Sequence, residues 1–442
     1  MYGAPPLIRP LVDKGDCLCL DPQLNQNEET YTLKRYLLFC GMALIAVSLW
    51  ILAPVYSFYA HRGKAPLPPW SWVTVDGVAP AIQFLSDPTF ERAGNDALTA
   101  MAAYREANNL PSLSAAVAIA DRVVWSGAVG FSDIAANVPA TPDTLYRIGS
   151  VSKALTATAL AQLVERGEID LDAPISTYLS TVQNPIWSQI TARQLASHSA
   201  GIPHYGENQD LIGLYHSIAM ASHYDDVRDA LSIFDTSPLL SVPGENFHYS
   251  SLGTVLLGAV MSEAADVSYR DLMHREVFQR AGMNTTYPDG DPHRTADNLA
   301  KFYYTDGARF RVWRPVDLSH RLPGGGYISS PQELVRLGGI YFAGQGLSAE
   351  TRGVFWAPQE LADGTINEQN YALGWRWREF DFEGMSTVGS ANHGGVSRGS
   401  QCWLLMYPAH EMSMAFCTNT KTKDFGTFGL FYKPFFEAFS GV

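Results

Sequence analysis

The stretch Tyr146–Gly167, YRIGSVSKALTATALAQLVERG, decides the fold. It places Ser150 and Lys153 three residues apart at the start of an apolar helical segment that Gly167 ends. At this spacing both side chains lie on one face of a helix, so the amine can reach the hydroxyl. Backbone N–H groups at a helix start also favour negative charge beside the hydroxyl. The pattern predicts a nucleophilic serine with a lysine as its general base, and the alternative is a capping serine beside a solvated lysine.

Two later stretches extend this pattern. In FHYSSLGTVLLGAV, Tyr249 immediately precedes a predicted helix, and in NHGGVSRGSQCWLL, His393 and two glycines lead into a predicted strand. Three such motifs in this order, after a pair of strands, resemble the S-x-x-K, Y/S-x-N and K/H-x-G motifs of the serine β-lactamase and penicillin-binding peptidase superfamily. The stretches ITARQLASHSAGIPHY and LPGGGYISSPQELVRLG add to the resemblance, which covers roughly Ala93 to the last residue.

The branch it resembles most has a tyrosine in the second motif. That branch contains class C β-lactamases, D-Ala-D-Ala carboxypeptidases, esterases and a mitochondrial serine β-lactamase-like protease. The resemblance implies that Ser150 takes the acyl group and Lys153 its proton. Tyr249 would pass a proton to the leaving group and then activate water, provided that the charge of Lys153 lowers its pKa; an ordinary core tyrosine is the alternative. Backbone N–H groups of Ser150 and Val396 would form the oxyanion hole.

Two positions depart from the family pattern. Ser251 stands where the family usually has Asn, so a shorter side chain must hold the substrate amide or the lysine. His393 stands where many relatives have Lys, and its grip on a substrate carboxylate would fade as the pH rises through its pKa. Arg398 is a candidate for the missing cation, while Gly394 and Gly395 admit substrate close to the strand. These departures favour peptidase or esterase activity over efficient β-lactam hydrolysis.

A competing nucleophile motif and metal chemistry are both disfavoured. Residues 395–399 spell G-x-S-x-G, but a nucleophile elbow needs a following helix, and SQCWLLMYP predicts a strand after Ser397. No H-E-x-x-H or similar pattern occurs, so neither a metal nor a cofactor is expected. His198 in SHSAG is expected to be a hydrogen-bonding residue of a loop or helix end.

The remaining elements predict an α/β fold of the α+β type in residues 81–442. LSAAVAIA and VVWSGAVGF form a hairpin around Asp121 and Arg122, and four strands return between Tyr371 and Asn419. The segment between them is mostly helical and loop-rich. We therefore expect one antiparallel sheet flanked by helices, with an inserted all-helical subdomain from Leu171 to about Gly346. An aromatic stripe from Phe425 to Phe439 predicts a final helix packed on the sheet, with membrane contact as the alternative.

Cys402 and Cys417 flank a predicted hairpin whose turn is Pro408–Glu411. The two thiols then stand opposite one another, either as a cross-strand disulfide or, more commonly, as a pair of buried free thiols.

The segment 36–60 carries about 25 residues without a charge, enough to cross a bilayer. Basic residues flank it on both sides, which favours a transmembrane helix over a buried core helix. Acidic residues in the tail 1–35 disfavour a cleaved signal peptide. We expect a cytoplasmic tail, a Pro-rich stalk at 61–80 and an extracytoplasmic catalytic domain.

The net charge of −13, without a Lys/Arg-rich block, argues against nucleic acid as a partner. The sequence predicts a membrane-anchored serine hydrolase acting on small peptide-like, β-lactam or ester substrates, with the oligomeric state left open. The alternatives are a catalytically weak sensor of the penicillin-recognition fold and a self-assembling structural protein.

Overall fold

The protein is described here by a computed structural model covering residues 22–291, 293–294, 296–343, 346–382, 386–422 and 425–441. The chain divides into two compact units after Pro54. Helix α1 (Pro22–Ala60) contains the segment Tyr31–Ala60, which has a mean hydropathy of 2.3 and is long and apolar enough to cross a membrane. Its most apolar 18-residue window is not buried by the rest of the chain, which argues against the core-helix alternative.

An antiparallel sheet dominates the second unit. Its strands run in the order β1, β3, β2, β13, β12, β11, β10, so elements from the two ends of the domain meet at its centre. The strands are β1 (Ala81–Leu85), β2 (Ser112–Ile119), β3 (Arg122–Asp133), β10 (Arg376–Phe380), β11 (Val388–Ser397), β12 (Ser400–Tyr407) and β13 (Met412–Thr418), and β4 (Val138–Pro139) pairs with the end of β3. The predicted fold class and hairpins are confirmed. Strand β1 was not predicted, because this edge strand is mostly exposed and has no alternating pattern.

Helices cover both faces of the sheet. They are α2 (Glu91–Ala107), α3 (Ser152–Glu165), α4 (Ala192–Ala196), α5 (Leu211–Ala219), α6 (Ser251–Ala264), α7 (Tyr269–Met273), α8 (Gln279–Ala281), α9 (Leu322–Gly325), α10 (Pro331–Val335), α11 (Gly338–Phe342), α12 (Ala349–Trp356) and α13 (Phe425–Ser440).

Two apolar cores follow from the alternation of the central strands. In β12, Leu405 faces the core formed with α2 and α13, whereas Leu404 faces the core formed with α3 and α6. The predicted packing of the final helix on the sheet is confirmed for its buried residues Tyr432, Phe435 and Phe439. A strand covered on both faces is apolar at consecutive positions, which is why β12 is buried along its whole length.

The inserted middle segment is mostly helical but also contains short strands that were not predicted. They are β6 (Tyr287–Pro288), β7 (Tyr303–Asp306), β8 (Arg309–Val312) and β9 (Tyr327–Ser329), and β9 pairs with both β6 and β5 (Tyr146–Arg147). Strands of two to four residues are too short for a visible period-2 pattern. The β5–β9 pairing matters for the site, because it holds the chain immediately before Ser150.

The prediction that residues 61–80 form a free stalk is wrong, because this segment packs against the domain. Val73 pairs with Phe310, and Val73, Val75 and Ala79 pack against a small apolar cluster of the domain. Arg311 also donates a 3.1 Å hydrogen bond to the Pro68 carbonyl. Apolar residues between the prolines therefore hold this segment against the domain.

Cys402 and Cys417 form a disulfide, so the expectation of buried free thiols is wrong. The predicted hairpin around Pro408–Glu411 places them directly opposite in register, with Cα atoms 4.1 Å apart. Cys402 is also the register partner of Gly395 on β11. The bond therefore clamps the sheet next to the third motif.

We expect this bond to form in the native protein and to stabilise it. Under denaturing conditions, iodoacetamide without reductant should leave the Cys402 and Cys417 peptides unlabelled, and labelling should appear only after reduction. Replacing both residues by Ala should lower the free energy of unfolding by about 3 kcal/mol, because the bond closes a short loop. Labelling of both thiols in the denatured, unreduced protein would contradict the disulfide.

Candidate active site

Ser150 lies in a 3₁₀ turn, Gly149–Val151, that leads directly into α3. In a 3₁₀ turn the side chains at i and i+3 are eclipsed, which brings Lys153 Nζ to 3.3 Å from Ser150 Oγ. The Ser152 hydroxyl closes the turn by donating to the Gly149 carbonyl at 2.7 Å. Ser150 itself is partly exposed, as a nucleophile must be.

Lys153 is buried, with 1% of its surface exposed. Its Nζ donates to Ser251 Oγ and to the Gly324 carbonyl, each at 2.7 Å. Burial, followed by the charges of Arg376 and Arg321, holds the pKa of Lys153 well below its usual value. The lysine is therefore poised to be a neutral amine rather than a solvated cation.

Two glycines allow β11 to lie against the serine turn. A Cβ on Gly395 would lie 2.0 Å from the Ile148 carbonyl oxygen and 2.7 Å from Ser150 N. Gly149 has φ of +52°, and a Cβ there would lie 2.7 Å from the carbonyl carbon of Val396. The two backbones touch only because neither carries a side chain, so the amides of Ser150 and Val396 lie side by side.

Tyr249 lies between the Lys153 amine and a second cation. Lys153 Nζ is 4.9 Å from the centre of its ring, and the Arg376 guanidinium carbon is 5.3 Å from it. We expected a lowered pKa for Tyr249, but burial raises it, and the charge of Arg376 and hydrogen bonding to Ser150 only partly oppose that effect. At neutral pH Tyr249 is therefore a protonated phenol, which can donate a proton.

His393 is fully buried and held in one tautomer. Its Nδ1 lies 2.7 Å from the Gly394 carbonyl and must carry the proton, so Nε2 accepts from the Tyr371 hydroxyl at 2.9 Å. Burial, with the charges of Arg376 and Lys153, lowers the pKa of His393 well below 6.5. The expectation of a partly charged histidine gripping a carboxylate is wrong, because a buried imidazole beside the Arg376 guanidinium stays neutral.

Arg376 is the cation that adjoins His393. Its Nη1 lies 3.4 Å from His393 Nε2, its guanidinium carbon is 5.0 Å from the Tyr371 ring centre, and Gln369 Oε1 accepts from its Nε and Nη2. The guanidinium has no carboxylate partner among the described residues. Arg376, rather than the predicted Arg398, is therefore the cation next to His393.

Arg398 lies elsewhere, against Met220 and Phe58. Its Nε points to Met220 Sδ at 3.1 Å, and its guanidinium carbon is 5.0 Å from the Phe58 ring centre. Ser251, by contrast, lies in the site: its hydroxyl contacts Lys153, and its N–H donates to His204 Nδ1 at 3.1 Å. The shorter side chain still reaches the lysine.

The structure agrees with the predictions for the two remaining candidates, Ser397 and His198. Ser397 pairs with Ser400 in the tight turn between β11 and β12, so no helix follows it and no nucleophile elbow forms. His198 is buried in a loop, where its Nδ1 accepts from Ser250 N at 3.4 Å and its ring lies 4.4 Å from that of Tyr249. No group of metal-ligating side chains occurs within the described parts of the chain.

Several residues of the site were missed by sequence reasoning. Arg376 and Tyr371 carry no motif and are recruited by the pairing of β10 with β11. Gly324 lies in the quoted stretch LPGGGYISSPQELVRLG, but nothing in that stretch marks it as a site residue. Its carbonyl reaches Lys153 only because α9 packs against α3 and α6. His204 lies in the quoted stretch ITARQLASHSAGIPHY, whose contact with Ser251 no spacing rule predicts.

A serine and a buried lysine on the first turns of one helix, beside an antiparallel sheet covered on both faces, define the serine hydrolases of the β-lactamase and penicillin-binding type. The chain belongs to the β-lactamase family, whose sequence profile, described as "Beta-lactamase", matches residues 98–430. The resemblance inferred from the three motifs is thereby confirmed.

Individual relatives carry different names. The chain is 25% identical over 382 residues to the human "Serine beta-lactamase-like protein LACTB, mitochondrial", covering 67% of this chain and 69% of that protein. It is 30% identical over 197 residues to "Esterase EstB" of Burkholderia gladioli, covering 42% and 50%. D-amino acid amidase from Ochrobactrum anthropi SV3 has the same fold, with a TM-score of 0.63 at 21% identity over 78% of this chain and 98% of that one.

The lowered pKa of Lys153 has a measurable consequence. The rate at which a fluorophosphonate labels Ser150 should fall as the pH drops through the pKa of Lys153, because the protonated amine cannot accept the serine proton. Arg376→Gln removes a like charge, so the pKa of Lys153 should rise and the midpoint of the rate profile should move to higher pH.

The matched control is Arg92→Gln on α2, whose side chain is 97% exposed. This control should leave the midpoint unchanged. A midpoint that stays in place or moves to lower pH in Arg376→Gln would contradict the assignment of Lys153 as the titrating base.

Proposed function

We propose that the protein is a membrane-anchored serine acyl-hydrolase that forms an acyl-enzyme on Ser150 with peptide-like or ester substrates. The observation that carries the proposal is the hydrogen bonding of Lys153. A neutral amine has two N–H groups and one lone pair. Ser251 and Gly324 accept the two N–H groups, so the lone pair is left for the Ser150 hydroxyl.

The first step is attack by Ser150 Oγ on the substrate carbonyl. Lys153 takes the hydroxyl proton as the bond forms, which gives a tetrahedral oxyanion and an ammonium group. We assign the N–H groups of Ser150 and Val396, whose backbones lie in contact, as the donors to that oxyanion. The ammonium group keeps its contacts with Ser251 and Gly324, so the proton has a prepared site.

Collapse of the intermediate requires a proton for the leaving group. Tyr249 is a protonated phenol between Lys153 and Arg376, so it donates its proton to the leaving nitrogen or oxygen and is reprotonated from Lys153. Water then attacks the acyl-enzyme by the reverse route, giving up its proton to the same pair. The product acid leaves and Ser150 is restored.

The leaving group lies on the side of Arg376 and His393, because Tyr249 contacts both. Nη1 and Nη2 of Arg376 each carry a second N–H group besides the one that faces His393 or Gln369, so both can still donate to a carboxylate there, whereas His393 stays neutral. This favours a leaving group that carries a carboxylate, such as the terminal residue of a peptide. The names of relatives, an esterase and an amidase, are consistent with ester and peptide-like substrates rather than one leaving atom.

The sensor alternative rested on Ser251 in place of Asn. The 2.7 Å contact between Ser251 and Lys153 removes that argument, since the serine makes the contact the amide was expected to make. No observation on the described residues favours the self-assembling alternative.

Ser150→Ala should abolish turnover and covalent labelling by fluorophosphonate while leaving the melting temperature nearly unchanged, because the residue is partly exposed. Intact-mass analysis and peptide mapping check the adduct in the wild-type protein. The matched control is Ser152→Ala, two residues along the same turn, which should keep the labelling site at Ser150. Turnover that persists in Ser150→Ala would contradict the proposed mechanism.

Two features support membrane anchoring with the domain in an oxidising compartment. The segment Tyr31–Ala60 has the length and hydropathy of a span. The Cys402–Cys417 disulfide is of a kind that persists mainly outside the cytosol. Both agree with an extracytoplasmic catalytic domain.

The full chain should therefore stay in the membrane fraction after alkaline carbonate and be released by detergent. Leu44→Lys combined with Trp50→Lys should make it extractable, since each central lysine costs about 3 kcal/mol in a membrane span. Carbonate release of the unmodified chain, or a mature protein that has lost the segment 36–60, would contradict the anchor.

A further inference from the structure

Two arginines contact the same end of α5: Arg321 through the Ser217 carbonyl and Arg398 through the sulfur of Met220, the residue that caps this helix. Arg321 immediately precedes α9, three residues before the Gly324 carbonyl that holds Lys153. Arg398 immediately follows β11, two residues after Val396. His393, five positions before Arg398 in the sequence, contacts Tyr371 and Arg376 instead.

Neither guanidinium is neutralised by a residue that the structure describes. Arg321 donates from Nε to His320 Nε2 at 2.8 Å and from Nη2 to the Ser217 carbonyl at 2.5 Å. Arg398 Nε contacts the sulfur of Met220. Among the described residues no carboxylate lies within ion-pair distance of either side chain, and the acids of this region, Asp289 and Asp317, are paired with Arg147 and His223.

Aromatic and aliphatic groups line the pair. The Arg321 guanidinium carbon is 4.0 Å from the ring centre of Tyr205, and that of Arg398 is 5.9 Å from the ring centre of Trp313. Burial lowers the pKa of both arginines, and the charge of Arg321 lowers that of Arg398 further. Placing two like charges in such surroundings costs free energy unless an anion joins them.

The pair is connected to the catalytic groups. Burial, together with the charges of Lys153, Arg321 and Arg398, lowers the pKa of His204 to about 3, and His204 accepts the N–H of Ser251. Tyr205 lies between Arg321 and Ser251, with hydrogen bonding to the latter. A group bound by the two arginines would therefore lie one side chain away from the residue that holds Lys153.

We propose that Arg321 and Arg398 form a subsite for a carboxylate carried by the acyl part of the substrate. This inference rests on the proposed function. Tyr249 places the leaving group on the side of Arg376, so the acyl chain extends in the opposite direction, past Ser251 and Tyr205. There the free Nη groups of Arg398, and that of Arg321, offer charge-assisted hydrogen bonds to a carboxylate.

The experiment compares two esters with five-carbon acyl chains. The p-nitrophenyl monoester of glutaric acid carries a terminal carboxylate, and p-nitrophenyl pentanoate does not. Wild-type protein should prefer the glutarate ester in kcat/KM by about tenfold to a hundredfold, the range of one or two hydrogen bonds to a charged group. Arg398→Gln should reduce this ratio at least tenfold, whereas Arg398→Lys should retain part of it.

Arg309→Gln is the control, because it removes an exposed arginine that is paired with Asp306. It should leave the ratio unchanged. Equal kcat/KM for the two esters in the wild-type protein, or an undiminished ratio in a folded Arg398→Gln, would overturn the subsite.

Failure of the proposed function would look different. In that case neither ester would show turnover that depends on Ser150. The subsite is then tested by binding alone: glutarate should raise the melting temperature of the wild-type full chain in detergent, and the rise should be lost in Arg398→Gln. No rise in the wild-type protein would overturn the subsite independently of catalysis.

Discussion

The site depends above all on the burial of Lys153. An ammonium group removed from water this completely would be costly, so burial and neighbouring guanidiniums favour its neutral form. Three helices hold the buried amine in place: α3 carries the lysine, α6 supplies Ser251 and α9 supplies the Gly324 carbonyl. The helical insertion is therefore part of the catalytic apparatus, because two of its helices define where the lone pair of the amine points.

Close backbone packing complements this burial. The turn before α3 lies against β11 at Gly149 and Gly395, and the disulfide at Cys402 clamps the strand beside Gly395. An oxyanion hole needs two amides whose separation does not change during the reaction. For the proposed pair, Ser150 and Val396, that separation is set by contact between main chains, which side-chain motion cannot loosen.

Sequence motifs placed Ser150, Lys153 and Tyr249 together because each lies at the start of an element whose local signal is strong. The protonation states could not be predicted in the same way. His393 is neutral because of burial and of Arg376, which reaches it through the pairing of β10 with β11, and the pKa of Tyr249 is raised by burial against the opposing charge of Arg376. Such effects depend on tertiary contacts between segments with no shared motif. The same holds for β1, for the short strands and for the packed segment 61–80, where neighbours rather than periodicity decide the structure.

The strand order also constrains how the chain can be made. Strand β2 lies between β3 and β13 at the centre of the sheet, and Ser112 and Asn419, 307 positions apart, share a hydrogen bond. During synthesis the β2–β3 hairpin emerges early but has no partner on its other edge until β13 has left the ribosome. Until then this edge of β2 presents unpaired backbone N–H and C=O groups, and because such edges pair readily with other chains, the interval before β13 is made is one in which the fold is prone to aggregate.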